Sequence, residues 1–204
     1  LCRFKDDTTF NVTVVGGGPT GVEMAGALAE LKRGPLKSDE PNAAANIRVR
    51  IIEASSRLLP PFAESLSSRT KKDLEKLEVE VLLNSAVKKV EHRKIELSDG
   101  KIIDSEITIW AAGVTGSPAI TKLNLPTERG RIKVEKTLQV SNYPYIWAIG
   151  DNAGAIDKTG KFLPMVAPVA IQQGKFLAKQ IKRISDGKPL EDFKYLDKGS
   201  MATI

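Results

Sequence analysis

Cysteine is nearly absent: Cys2 stands alone among 204 residues. No internal disulfide can form, and no redox-active cysteine pair exists in this stretch. That fits a reducing compartment. Histidine is as scarce, with His92 alone. One histidine and one cysteine fall short of the usual zinc ligand sets. A Ser-His-Asp triad would have to use His92, which lies in the charged run Glu91-His92-Arg93-Lys94 and reads as an exposed turn. Long apolar runs are missing too. The uncharged stretch from Thr137 to Gly150 is too short to span a bilayer and contains Asn, Pro and Gln. Arg3, Lys5, Asp6 and Asp7 break any signal-peptide pattern. Aromatics make up only 5% of residues, and no RNA-binding aromatic signature or DNA-reading motif appears. The net charge of +6 does not change that, because most bases alternate with acids, as in Lys71-Lys72-Asp73-Leu74-Glu75-Lys76. Nucleic acid is therefore not an expected partner. The clearest basic bias is Lys175, Lys179, Lys182 and Arg183, which reads as a solvated helix face or as a membrane or partner surface.

What is present is a composition ordinary for a globular chain, 41% hydrophobic and 27% charged. Its most informative stretch is Asn11-Val12-Thr13-Val14-Val15-Gly16-Gly17-Gly18-Pro19-Thr20-Gly21-Val22-Glu23. Val12 to Val15 suits a strand covered on both faces. Gly16, Gly18 and Gly21 give the G-x-G-x-x-G spacing between a strand and a helix. The first glycine permits a tight turn, the second lets backbone approach a pyrophosphate, and the third lets helix and strand pack closely. The helix N-terminus then offers N–H groups and partial positive charge to an anion. Glu53 closes the next strand, where the fingerprint places an acid for the ribose. A carboxylate there repels a 2′-phosphate, so NADH is favoured over NADPH, although Arg57 nearby could soften the preference.

The coarse reading is α/β. A helix is expected over Pro19 to about Lys32, stopped by Gly34-Pro35, followed by a polar insertion from Leu36 to Asn46. Strands are expected at Ile47–Glu53 and Glu80–Leu83, with a helix from about Ala63 to Leu77 carrying Leu66, Leu74 and Leu77. Short strands at Ala86–Glu91, Arg93–Leu97 and Ile102–Asp104 form a β-meander, with Asp99-Gly100 as a hairpin turn. Glu106–Ala111 is a further strand. Beyond Gly113 the texture loosens. A short helix near Pro118–Lys122 and strands at Ile132–Val134 and Tyr145–Ile149 lead to a helix over Ala167–Ser185. Phe193 to Ile204 holds strand-like pieces.

The glycine loop, the meander, Trp110-Ala111-Ala112-Gly113 and Ala148-Ile149-Gly150-Asp151 together resemble the two-dinucleotide-binding-domain flavoprotein oxidoreductases. With Leu58-Leu59-Pro60 and Ala170-Ile171-Gln172-Gln173-Gly174, the chain is most similar to the type II NADH dehydrogenases (NADH:quinone oxidoreductases). The resemblance implies a Rossmann-like NADH-binding domain with a parallel sheet, plus part of a second, FAD-type domain. Residues 1–10 would be the crossover, 11–113 the NAD(H)-binding domain and 114–204 the returning, incomplete part of the FAD-binding domain. No second G-x-G-x-x-G for the FAD adenosine half occurs, so the chain reads as an internal piece. Such a piece is expected to bind NADH with micromolar or weaker affinity, to hold FAD poorly and to turn over nothing.

The resemblance also implies roles. Gly16, Gly18, Pro19, Thr20 and Gly21 would cradle NADH, and Ala112 and Gly113 would let backbone approach cofactor. Glu23, read as lying on the first helical turn, would sit near the nicotinamide and orient it for hydride transfer. An equally good reading is that it stabilises the helix dipole. Gly150 and Asp151 would meet the FAD ribityl chain. Pro168 and Val169 would begin a helix whose N-terminus faces the flavin. Gln172 matches the second glutamine of the family's A-Q-x-A-x-Q quinone motif, while Pro168 replaces the first. The whole enzyme would be a peripheral protein on the cytoplasmic face of the cell membrane, held by regions outside this chain, and a homodimer. Alternatives are a ferredoxin- or rubredoxin-type reductase, and an NADH-binding sensor module without catalysis.

Overall fold

The computed structural model describes residues 9–199 and 201–203. Among these the chain divides into two compact units, one of residues 9–113 with 201–203 and one of Val114–Gly199. The first runs β1 (Phe10–Val15), α1 (Pro19–Arg33), α2 (Pro35–Asp39), α3 (Pro41–Asn46), β2 (Ile47–Ile52), α4 (Glu64–Lys76), β3 (Val79–Leu82), β4 (Val87–Glu91), β5 (Lys94–Leu97), β6 (Ile102–Asp104) and β7 (Ile107–Trp110). Its main sheet has the order β3-β2-β1-β7, and every neighbouring pair is parallel. Strand order reverses beside β1, which is where such sheets open a crevice at their carboxyl ends.

Strand residues alternate between faces, and that alternation sorts the core. Val14 and Ile51 pack with Val22, Ala25 and Ala29 of α1 and Leu74 of α4. Val15 and Ile52 turn to the other face and meet Ile95, Leu97 and Ile103 of the meander. Both faces of β1 are thus covered, which is why Val12, Val14 and Val15 are all apolar and the one polar residue among them, Thr13, is fully buried. In α1 the buried positions Gly21, Val22, Ala25, Gly26 and Ala29 are small or slim, so the helix lies close to the sheet. Pro19 starts it, and the Gly34 N–H bonds back to the Glu30 carbonyl at its end. The meander pairs antiparallel. Its expected Asp-Gly turn forms, with Gly100 at φ +87° and the Lys101 N–H donating to Asp99 Oδ1 at 2.9 Å. His92 is exposed in the turn between β4 and β5.

Several local expectations need correction. The polar insertion at 36–46 is helical, as α2 and α3, each led by a proline that suits the first helical position. Leu66 does not join the apolar face of α4: it is 49% exposed, while Ser67, Thr70 and Leu74 are buried at spacings of three and four. No strand forms over 193–199 or 201–203.

The second unit begins with a short 3-10 helix, Pro118–Leu123, capped by the Ser117 hydroxyl. Two hairpins follow: β8 (Thr127–Glu128) with β9 (Arg131–Ile132), and β10 (Gln139–Val140) with β11 (Tyr143–Trp147). The strand expected at Tyr145–Ile149 is therefore shifted back to β11, and most of it is exposed. The strand expected at Ile132–Val134 is shortened to β9. A 3-10 turn, Gly150–Asn152, leads on to α5 (Ala167–Ser185), which has the bounds expected from the sequence. Among the described residues no helix is long and apolar enough to cross a membrane.

Candidate functional site

The carboxyl ends of β1, β2 and β7 converge on a cavity of about 510 Å³. The glycine loop forms one wall through Gly16 and Gly18. Glu53 and Ala54 follow from β2, Ser85 to Val87 from the start of the meander, and Trp110 to Gly113 from β7. Gly16, Gly18, Glu53, Ala112 and Gly113 are thus brought together. Pro19, Thr20 and Gly21 follow immediately at the start of α1.

The glycines divide by what surrounds them. Gly16 has φ +112°, and a Cβ on it would lie 2.8 Å from the Ala112 nitrogen. A Cβ on Gly21 would lie 1.8 Å from the Gly16 carbonyl oxygen. Gly17 is also closed in, by Leu58 Cδ2 at 2.7 Å and Glu53 Cβ at 2.9 Å. These three are glycine because the protein itself fills the space. Gly18 is different: it has φ −74°, open to any residue, and nothing lies within 4 Å of its Cβ position. Among the described residues no atom explains a glycine there. Gly18 is the second glycine of the G-x-G-x-x-G spacing, the position at which that fingerprint leaves room for a pyrophosphate. Among the described residues no side chain caps the α1 N-terminus that Gly18 begins.

Glu53 is built into the loop. One carboxylate oxygen accepts the Gly17 N–H at 2.6 Å and the other accepts the Ser55 N–H at 2.7 Å. Partial burial pushes its pKa up, but the Ser55 and Gly17 N–H donors outweigh burial, and the net shift is downward. Arg57 is turned aside by donating to the Pro60 carbonyl at 2.7 Å. Glu23 lies on the second turn of α1, not the first, where no acid occurs. The helix-dipole reading therefore loses its basis, since that effect fades beyond the terminal turn. Glu23 is exposed, and its Oε1 accepts the Thr203 N–H at 3.2 Å.

Residues 3–174 match the pyridine nucleotide-disulphide oxidoreductase family. The chain belongs to that family. It is 34% identical, over 99% of its length, to the type II NADH:quinone oxidoreductase of Haemophilus influenzae, and covers 46% of that protein. It is 37% identical, over 94% of its length, to the type II NADH:quinone oxidoreductase Ndh of Mycobacterium tuberculosis, and covers 43% of it. Among solved structures it is similar to NDH2 from Plasmodium falciparum in complex with NADH. That likeness has a TM-score of 0.67 and 30% identity, and covers 76% of this chain and 34% of that one. The chain thus spans less than half the length of these relatives. The family and the α/β fold class are those anticipated from the glycine loop, the meander and the Gly150-Asp151 and Gln172-Gln173-Gly174 stretches.

The second unit holds the other residues singled out in the sequence. Gly150 takes φ +65° and Asp151 is exposed in the turn beside it. Burial lowers the pKa of the Arg131 guanidinium, and the Asp151 charge opposes that shift. Arg131 also donates to the Leu163 carbonyl at 2.7 Å and lies 5.3 Å over the Phe162 ring. Pro168 has no N–H, and the Val169 and Ala170 N–H groups both bond to the Val166 carbonyl. The Val169 side chain packs into a core with Leu138, Ala155 and Leu163. The first turn of α5 therefore has few donors to spare, and its contribution to an anion is mainly its dipole. Gln172 uses both ends of its amide on Leu196, accepting the N–H at 3.0 Å and donating to the carbonyl at 2.9 Å.

The sequence reading gave no role to Gly17, Ser55 or Gln173, nor to Ala54, Ser85 to Val87 and Trp110 as cavity walls. Gln173 had a readable signal. Val169, Gln173, Phe176 and Gln180 recur at helical spacing on one stripe of α5, so two glutamines fall on an apolar face.

Proposed function

We propose that this chain supplies the NADH-binding unit and part of the flavin-binding unit of an NADH-oxidising flavoenzyme that passes electrons to a quinone. The observation that carries the reading is the pair Gly18 and Glu53. Gly18 leaves open backbone where a pyrophosphate would approach, and Glu53 holds an ionised carboxylate at the end of β2 where an adenosine ribose would lie. Gly16, Pro19, Thr20 and Gly21 complete the loop around the phosphates, and Ala112 and Gly113 form the wall from β7. Glu23 is assigned to the nicotinamide end, as a carboxylate that orients the ring. In the second unit, Asp151 on the Gly150 turn would accept hydrogen bonds from the ribityl chain of FAD, and the α5 dipole would favour negative charge near its Pro168–Val169 start. Bound flavin supplies the hydride acceptor.

The quinone assignment rests on the names of the relatives. Gln172 has its amide engaged with Leu196, so it would shape the acceptor region through residues 193–199 and not by direct contact. A quinone acceptor places the enzyme at a membrane surface, as a peripheral protein and, by family resemblance, a homodimer.

Steady-state oxidation of NADH by the complete FAD-loaded protein tests the reading, with a short-chain quinone, ferricyanide and a ferredoxin as alternative acceptors. Turnover with the quinone, and a clear preference for NADH over NADPH, is the expected result. Turnover with the ferredoxin and none with any quinone would overturn it.

A further inference from the structure

Helix α5 carries three glutamines, and each spends its side-chain carbonyl on a backbone N–H. Gln172 pairs with Leu196. Gln180 Oε1 accepts the Glu191 N–H at 2.9 Å. Gln173 Oε1 accepts the Gly150 N–H at 2.6 Å. Gln173 and Gln180 lie seven residues apart on the buried face, 1% and 0% exposed. In both, Nε2 is buried without a hydrogen-bond partner among the described residues. Burying a long polar side chain with half its capacity unused is unfavourable. Such a residue is expected to be held there by what its other half does.

For Gln173 that other half reaches the turn carrying Asp151. Gly150 is in the left-handed region, and a Cβ on it would touch Ala170 Cβ of α5 at 3.6 Å. The turn therefore rests on the first two turns of the helix, tied to it by the Gln173 bond. Asp151 follows directly and is exposed. Asn152 and Ala153 fix the far side of the turn, through the Ser117 N–H to Asn152 Oδ1 at 2.8 Å and the Ala153 N–H to the Gly150 carbonyl at 3.0 Å, and the Gln173 bond is the side-chain tie between Gly150 and α5.

We propose that Gln173 is the positioning residue of the flavin half-site: it clamps the Gly150–Asp151 turn to α5 so that Asp151 is aimed before the ligand arrives. The inference rests on reading the second unit as flavin-binding. Its physical content is preorganisation, in which a site held in its bound geometry loses less conformational freedom on binding. Gln180 provides a matched comparison, since it has the same chemistry, burial and helix face but holds Glu191.

The test titrates FAD into the complete protein stripped of flavin, and records flavin fluorescence and visible circular dichroism. Gln173→Leu is expected to raise the FAD Kd at least tenfold and to alter the dichroism of the flavin that does bind. Gln173→Glu keeps an acceptor for the Gly150 N–H and stays within about threefold of wild type. Gln180→Leu lowers thermal stability comparably yet also stays within about threefold in Kd. Because Gln173 acts through Asp151, Gln173→Leu and Asp151→Asn combine to less than the product of their separate effects. Should Gln173→Leu not fold, Gln173→Asn, one methylene too short to reach Gly150, carries the same expectation. Equal losses from Gln173→Leu and Gln180→Leu, or full multiplication with Asp151→Asn, would overturn the proposal. A wild-type protein that takes up no FAD would instead remove the flavin reading beneath it.

Discussion

Glu53 is proposed to do two jobs with one carboxylate. It would receive the ribose of NADH, and it already ties Gly17 and Ser55 to the end of β2. Removing it therefore affects the loop as well as the ligand. Glu53→Gln keeps one acceptor oxygen and deletes the charge. It is expected to weaken NADH binding, to narrow the NADH/NADPH preference several-fold, and to cost about 1–2 kcal/mol of stability at pH 7. The sign of the pH dependence follows from the depressed pKa. A group with a lowered folded-state pKa contributes fully above its ordinary value, ~4.3 for glutamate, and loses that contribution as pH falls through the folded value. Urea denaturation of wild type between about pH 5 and pH 3 should show this loss, and Glu53→Gln should lack it. Identical pH slopes would show that the loop does not depend on the ionised carboxylate. An unchanged NADH/NADPH ratio would take Glu53 out of ribose recognition.

At the scale of elements, α4 separates burial from hydrophobicity. Leu74 is fully buried against the sheet, whereas Leu66, eight residues earlier, faces solvent with half its surface exposed. Leu74→Ala is expected to cost about 2–5 kcal/mol, and Leu66→Ala to stay within about 0.5 kcal/mol of wild type. Equal costs, read by thermal or chemical denaturation, would mean that the helix packs on a different face. The same helix shows what a sequence conveys and what it conceals. Its limits were legible because they follow from local chemistry. Its buried face was not, because Ser67 and Thr70 are chosen by tertiary contact and carry no apolar signal. The run Val12–Val15 was legible for the opposite reason, since both its faces are buried and three of its four positions are valine, with Thr13 the buried exception. Residues 36–46 misled because short proline-led helices leave no apolar period. In the site, Gly16, Gly18 and Gly21 were visible by spacing alone. Gly17 was not, because its constraint comes from Leu58 and Glu53, which are distant in sequence. Gln172 could be matched to a motif, but its pairing with Leu196 depends on where residues 193–199 return.

At the scale of the whole molecule, the chain covers less than half of relatives whose names describe a complete electron path from NADH to quinone. The first unit is self-sufficient in one respect. Its sheet, its glycine loop, Glu53 and the β7 wall all lie within it, so the proposed NADH binding can be tested on this chain by itself. Gly18 is the point at which fold and proposed function separate most cleanly, because a Cβ there meets nothing within 4 Å among the described residues. Gly21 is the opposite case, and its replacement breaks the loop before a ligand is considered. The most direct measurement is a fluorescence titration of NADH into this chain and its Gly18→Ala variant, with thermal unfolding of both. The account predicts micromolar or weaker binding by wild type, a loss of at least about tenfold in Gly18→Ala, and matching unfolding temperatures. NADH affinity that is absent in wild type, or unaltered by Gly18→Ala, would contradict it.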